Sequence, residues 1–426
     1  MLDLEVVPEL ALRCRDWELV LGMPLQQAIE IIRKQDSTIT NVDFWHSDKF
    51  PFAFNMIISL QNDGLRLHFE PHFQRLMLIE ITDMSKISLS YWSQRFNGPN
   101  KMPTLQEIIR VFGSTKQLLP DESVSGNYRL CYRGITFVLS APSREDGGFA
   151  TPVSPGSCSL ASTSSAVADL SRLDASDINL FVKRIYLFLG QNVSEAKPPS
   201  QLPSSCYHGN IFLERLRVLR SGERTKKLAF DLIYQELCVN PNRDPPIQRF
   251  SACVAFGDTV QDVLSALGSP SRIFYKTEDK MKIHLPQSYR QIRQRHSDFF
   301  YNYFTLGLDV LFDSHTHTVI SFVLHTNLPG EYTFNTYYRC MFEIPLEEVE
   351  GGKGLTVTPF TKWSEIKLHL LDAIDAEPVV IHRETKPPKN PYGSTHAYGY
   401  QDIIFEVLPQ NDYLGSVTLF SLPKNM

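Results

Sequence analysis

Apolar residues recur at helical spacing in four short stretches, three of them with local start or stop signals. Leu25, Ile29 and Ile32 share one helical face, as do Val260, Leu264 and Leu267. Pro24 suits the first turn of the first helix, and Asp258 or Thr259 can cap the second. A third helix is expected from Pro103-Thr-Leu105-Gln-Glu-Ile108-Ile109 to Phe112-Gly113-Ser114. That ending resembles Leu267-Gly268-Ser269-Pro270, where glycine supplies a left-handed residue and proline blocks continuation. The fourth stretch is Phe360 to Leu371, with Trp363, Ile366 and Leu370.

After each helix the period changes to two. Gly64–Phe69, Gly134–Leu139, Gly307–Phe312 and Gln401–Val407 read as strands, three of them opened by glycine. Leu65, Leu67 and Phe69 fall on one face and Arg66, His68 and Glu70 on the other, the pattern of a half-buried strand. Return strands are expected at Leu76–Ile81, Val182–Leu189, Val319–Leu324 and Ser416–Phe420. Trp17–Ile29 also lines up with Ala252–Leu264, each a short apolar strand, a glycine and a helix.

The expected fold is therefore α+β, built from internally repeated helix plus antiparallel β-hairpin units. In shape these are BamE-like, a likeness to small envelope-lipoprotein modules through which no function passes. The units form two related halves, 1–200 and 201–426, with two repeats each. Residues 143–176 interrupt the second hairpin with Gly147-Gly148, Thr151-Pro152, Ser154-Pro155 and Ser162-Thr-Ser-Ser165. So polar a stretch cannot offset its ordering entropy, and a disordered hairpin insertion is expected. Thr151 and Ser154, each followed by proline, are candidate phosphorylation sites. Lys197-Pro-Pro-Ser-Gln-Leu-Pro203 reads as a linker, and Ile211–Leu219 and Lys227–Leu237 as a further hairpin.

Composition narrows the function. The 426 residues are 42% hydrophobic and 21% charged, enough apolar material for a packed core. A net charge of −5 argues against nucleic acid as a partner of a whole domain. No apolar run reaches bilayer length, and the acidic opening Met1–Pro8 lacks the basic region of a secretory signal. The seven cysteines are scattered without a CxxC pair, as expected of reduced thiols in a cytoplasmic protein. The sequon Asn192-Val-Ser194 then carries no meaning.

A search for chemistry returns no catalytic or cofactor-binding residues, and an enzyme is not expected. Gly351-Gly-Lys-Gly354 lacks the spacing of a phosphate loop and reads as a flexible connection. HExxH, GxSxG and catalytic-cysteine signatures are absent from the sequence. Asp313-Ser-His315-Thr-His317, with His325 beyond, has metal-ligand residue types, but its Asp and Ser also suit an ordinary hairpin turn. No further ligand lies near it in sequence, so no metal is expected. Glu347/Glu348 and Glu278/Asp279 sit in polar stretches and read as solvated surface.

One segment stands out. Lys276, Lys280, Lys282, Arg290, Arg293 and Arg295 place six cations within about twenty residues of an otherwise acidic chain. Phe274, Tyr275, Tyr289, Phe299, Phe300, Tyr301 and Tyr303 flank them. Cations beside aromatic anchors are a candidate contact for an anionic or phosphoinositide membrane or an acidic partner. The alternative is a solvated loop whose aromatics belong to the next strand.

The opening Met1–Pro8 with Leu21-Gly22-Met23-Pro24-Leu25 resembles the N-terminus of the phagophore assembly factor family of autophagy regulators. The likeness continues through Leu267–Pro270, Phe274-Tyr275-Lys276, Glu278–His284, Asn302–Gly307, His325-Thr-Asn327 to Gly330, and Asn390–Thr395. The resemblance implies a cytoplasmic, non-enzymatic scaffold or adaptor recruited to the phagophore assembly site. It implies as partner a β-propeller protein of the breast-carcinoma-amplified-sequence type, and no cofactor. Two alternatives stand beside it. A lipid-binding or lipid-transfer module would need an apolar cavity between helix and sheet, and an enzyme with an unrecognised site would need buried polar groups converging in a pocket.

Overall fold

Helix starts are written locally, and the chain begins its helices where those signals stand. Thr104 accepts a hydrogen bond from the Glu107 N–H while the Glu107 carboxylate accepts from the Thr104 N–H. Thr259 and Asp262 form the same reciprocal pair. The computed structural model describes residues 2–98, 102–114, 118–121, 126–140, 180–235, 246–276, 297–346, 354–370, 377–382 and 393–421. It divides into two compact units, Met1–Trp45 with Asn55–Pro203, and His46–Phe54 with Ser204–Met426.

In the first unit, β1 (Leu2–Val7), β2 (Ala11–Arg13) and β3 (Glu18–Val20) lead to α1 (Leu25–Lys34). There follow β4 (Val42–Trp45), β5 (Met56–Leu60), β6 (Leu65–Glu70) and β7 (Arg75–Ile81). Then come β8 (Ile87–Tyr91), β9 (Gln94–Arg95) and α2 (Leu105–Phe112). The unit closes with β10 (Leu118–Pro120), β11 (Asn127–Tyr132), β12 (Ile135–Ser140) and β13 (Phe181–Phe188). These strands make a five-stranded sheet, β3-β2-β1-β8-β9, and an eight-stranded sheet, β10-β11-β12-β13-β7-β6-β5-β4.

The second unit opens with β14 (Phe212–Ser221), β15 (Arg224–Gln235), β16 (Ile247–Ala255) and α3 (Val260–Leu267). Next are β17 (Arg272–Tyr275), β18 (Phe299–Tyr303), β19 (Leu308–Phe312) and β20 (Val319–His325). β21 (Phe342–Leu346), β22 (Leu355–Val357) and α4 (Trp363–Leu370) come next. Last are β23 (Val379–His382), β24 (Ser394–Tyr400), β25 (Ile403–Leu408) and β26 (Tyr413–Phe420). Its sheets run β16-β15-β14-β21-β22 and β17-β18-β19-β20-β26-β25-β24-β23. Strand pairing is antiparallel apart from β1 with β8 and β14 with β21, which are parallel.

Each unit has its own core. In the second, Phe230 and Phe342 from the smaller sheet pack with Phe312, Phe322 and Phe405 from the larger. Val263, Leu267, Trp363, Ile366 and Leu370 of α3 and α4 join the same cluster. Each such aromatic side chain, fully removed from water, contributes about 1.5–3 kcal/mol.

The expectation of an α+β fold made of BamE-like helix-plus-hairpin repeats is wrong. The described residues hold twenty-six strands and four α-helices, the longest of ten residues, so the protein is mostly β. Each helix leads into four strands rather than a hairpin, and five further strands per unit form a separate sheet. Some of the missed strands lack a clear apolar face. None of the four residues of β4, β17 or β23 is buried, and β24 carries Ala397 and Gly399 in place of large apolar side chains. β12 and β13 pair directly, Phe137 opposite Ile185. The insertion 143–176 between them, with Thr151 and Ser154, lies outside the described residues.

Candidate functional site

The features most open to a functional reading lie in the second unit, where an exposed strand is tied to a buried ionic cluster. β17 forms one edge of the eight-stranded sheet and pairs only with β18 among the described residues. All four of its residues are exposed, with Ile273 at 48%, Phe274 at 41% and Tyr275 at 63%. An aromatic edge so open is unusual, because sheets ordinarily blunt their edges with charge or proline. Tyr275 leans on Phe299, and Phe299 stacks on buried Phe312, so the edge is anchored on the core.

Arg272, the first residue of the strand, fixes it from the other side. Its Nε donates to Asn302 Oδ1 at 3.1 Å, and its guanidinium lies over the Phe274 and Phe304 rings. Asn302 Nδ2 donates in turn to Asp309 Oδ1 at 2.7 Å, an atom that also accepts from the Tyr337 hydroxyl at 2.7 Å. Asp309 Oδ2 lies 3.0 Å from His325 Nε2. On the far side of the imidazole, Nδ1 meets Glu331 Oε1 at 3.5 Å and the Thr333 hydroxyl at 3.3 Å. Thr333 also donates to Glu331 Oε1. The Tyr337 ring stacks on His325 at 3.8 Å.

Asn302, Asp309, His325, Glu331 and Tyr337 are all buried. Burial by itself would push the His325 pKa down, but hydrogen bonds and charge from Asp309 and Glu331 outweigh it and raise it to about 9. The imidazolium therefore persists at neutral pH between two carboxylates. Burial, and then the charge of Asp309, pushes the Tyr337 phenol up, and complete burial does the same to the Cys340 thiol. Both ring nitrogens of His325 are engaged, so neither is free to take a proton from a substrate. The cluster's work is to hold the segment after β20 against β18 and β19.

Of the six predicted cations, Lys276 is described. It is exposed, directly follows β17, and its N–H donates to the Asp298 carbonyl at 2.9 Å. Lys280, Lys282, Arg290, Arg293 and Arg295 lie outside the described residues. Asp313, His315 and His317 occupy the β19–β20 turn, where Asp313 accepts from the N–H groups of His315 and Thr316. Those bonds, that of Thr316 foremost, hold its carboxyl below the usual range. His325 lies in the buried cluster with Asp309, not in this turn. Among the described residues no group of three His, Cys, Asp or Glu side chains gathers to hold a metal.

Asp309, Glu331 and Tyr337 were not singled out from the sequence. Asp309 had a readable signal, a carboxylate inside the otherwise apolar run Leu308-Asp-Val-Leu-Phe312, all five residues of which are buried. A groove of about 780 Å³ on the smaller sheet has Leu232 and Phe342 among its buried lining. The ion pairs Arg215–Glu343 and Arg249–Glu214 also line it. Among the described residues, no helix is long and apolar enough to cross a membrane.

Fold and site together define a mostly-β protein of two units whose ionisable cluster is sealed and whose aromatic edge strand is open. The chain belongs to the family described as phagosome assembly factor 1, which matches residues 15–420. It is 40% identical over 439 residues to the PHAF1 protein CG7083 of Drosophila melanogaster, covering 99% of this chain and 94% of that one. The PHAF1 protein T01G9.2 of Caenorhabditis elegans is 32% identical over 421 residues, covering 98% and 93%. The PHAF1 protein At3g51130 of Arabidopsis thaliana is 32% identical over 409 residues, covering 94% and 89%. No solved structure matches the chain. Membership supports a role related to phagosome and autophagy assembly.

Proposed function

We propose that this protein is a non-enzymatic adaptor in autophagosome formation. It acts in the cytoplasm, is recruited to the phagophore assembly site, and works there with a β-propeller protein of the breast-carcinoma-amplified-sequence type. The observation that carries this reading is the contrast within the second unit. The Asp309–His325–Glu331 cluster has its imidazole only 5% exposed and occupied on both nitrogens, whereas the neighbouring strand β17 offers aromatic and cationic side chains to solvent. Groups that could do chemistry are committed to holding a surface, and the surface is of the composition that binds partners.

Lys276, beside the exposed rings, also favours peripheral contact with anionic or phosphoinositide membranes. The test is purification of the tagged protein from starved cells, with stoichiometric partners identified by mass spectrometry. A β-propeller protein is expected at near-equal amount, and its absence refutes the reading. Flotation on anionic vesicles, with and without the propeller, then compares wild type with the variant in which Lys276, Lys280, Lys282, Arg290, Arg293 and Arg295 are Gln. Loss of flotation without the propeller makes the lipid contact direct, and loss only in its presence makes these residues part of a protein interface.

A further inference from the structure

We propose that β17 binds its partner by strand addition, and that the added segment carries two acidic residues separated by three apolar ones. The proposal deepens the adaptor reading by naming the surface and the chemistry of what docks on it.

The backbone comes first. Arg272 to Tyr275 pair antiparallel with Asn302 to Phe299, and the Lys276 N–H continues the ladder to the Asp298 carbonyl. Hydrogen-bonded pairs alternate along an antiparallel ladder, so Lys276, Phe274 and Arg272 direct their backbone groups toward β18. Ile273 and Tyr275 direct theirs outward, where no strand pairs with them among the described residues. Two N–H and two C=O groups in extended register are a template for another strand. Lipid cannot satisfy such groups, which argues against a bilayer as the occupant of this edge.

Side chains then choose the occupant. Arg272, Phe274 and Lys276 lie on one face of the strand, and Ile273 and Tyr275 on the other. A second copy pairing about a twofold axis at Phe274 would set Arg272 opposite Lys276 twice. Like charges directly opposite one another destabilise a ladder, so self-pairing is disfavoured. Acidic residues in the same two places would convert both repulsions into attractions. The apolar residues between them would face Ile273, Phe274 and Tyr275.

The other edges of the eight-stranded sheets are less suited. β4 carries Asp43 and β10 ends on Pro120, while β23 has no aromatic side chain and no Lys or Arg at its described flanks. β17 is also held in place before any partner arrives, through Arg272, Asn302, Asp309 and His325.

The test uses the full chain and a fluorescein-labelled peptide, Glu-Val-Tyr-Val-Glu amide, followed by anisotropy at low ionic strength. The acidic peptide should bind at least tenfold tighter than its Lys-Val-Tyr-Val-Lys counterpart. The double variant Ile273→Pro, Tyr275→Pro removes both outward N–H groups without touching the ladder to β18, and should weaken binding at least tenfold. Lys276→Glu, an exposed change that leaves the fold intact, should weaken the acidic peptide about fivefold. That arm decides the matter if the proline variant fails to fold.

Equal binding of the two peptides, unchanged binding by the variants, or no binding at millimolar peptide overturns the proposal. A concentration-dependent dimer abolished by the proline variant would assign the edge to a second copy. Vesicle binding abolished by it would assign the edge to a membrane. Either result also overturns the proposal. No arm contains the propeller protein, so this failure and failure of the adaptor reading are separable.

Discussion

Raising the pH should loosen the second unit through His325. Its pKa stands at about 9 in the folded protein, held up by Asp309 and Glu331 against the opposing effect of burial. In the unfolded chain it returns to about 6.5. The folded value is the higher one, so the stabilisation is fully present below about pH 6.5 and is lost as pH rises through about 9. Linkage makes the difference between about pH 6 and about pH 9.5 roughly 3 kcal/mol, a large share of a domain's usual stability. The assay is urea unfolding of wild type and His325→Gln across that range, with fluorescence of the second unit as the signal. The variant has no imidazole to titrate and leaves two buried carboxylates without their cation, so it should be the less stable at low pH by about 3 kcal/mol or more. The gap should shrink by about 3 kcal/mol toward about pH 9.5. Parallel stability curves for the two proteins would refute the clamp.

Two further outcomes concern the elements that hold this surface. Gly307 sits at φ 67°, and a Cβ there would collide with the Tyr338 carbonyl oxygen and approach the Cys340 nitrogen to 2.7 Å. Gly307→Ala should therefore cost more than about 2 kcal/mol in chemical unfolding, whereas Gly222→Ala should cost only the left-handed penalty of about 1–2 kcal/mol. Gly222 has φ 58° and open space around it. Thr259→Ala removes the reciprocal cap with Asp262 at the start of α3 and should cost about 1 kcal/mol, with Thr259→Ser restoring most of it.

Features set within a few residues were legible in the sequence. Leu25–Lys34 and Val260–Leu267 are helices because their apolar spacing and first turns are local. The strands after Gly64, Gly134 and Gly307 begin where expected, and each of those glycines has positive φ. The aromatic and cationic character of Tyr275 and Lys276 was likewise readable, as was the resemblance to the family.

The fold class was not legible, because it depends on which strands find one another. Leu2 pairs with Ile87, Leu216 with Phe342, and Leu324 with Val417, partners that no local pattern specifies. Short edge strands such as β4 and β17 expose both faces, so they lack the alternation that marks a strand and read as connections. The site divides along the same line. A cation beside aromatic residues is a fact of sequence, but the joining of Arg272, Asn302, Asp309, His325 and Glu331 exists only after folding. Helix caps and turns are settled by contacts a few residues apart. Sheet partners and buried ion pairs become favourable only once the chain has closed long loops and excluded water around them.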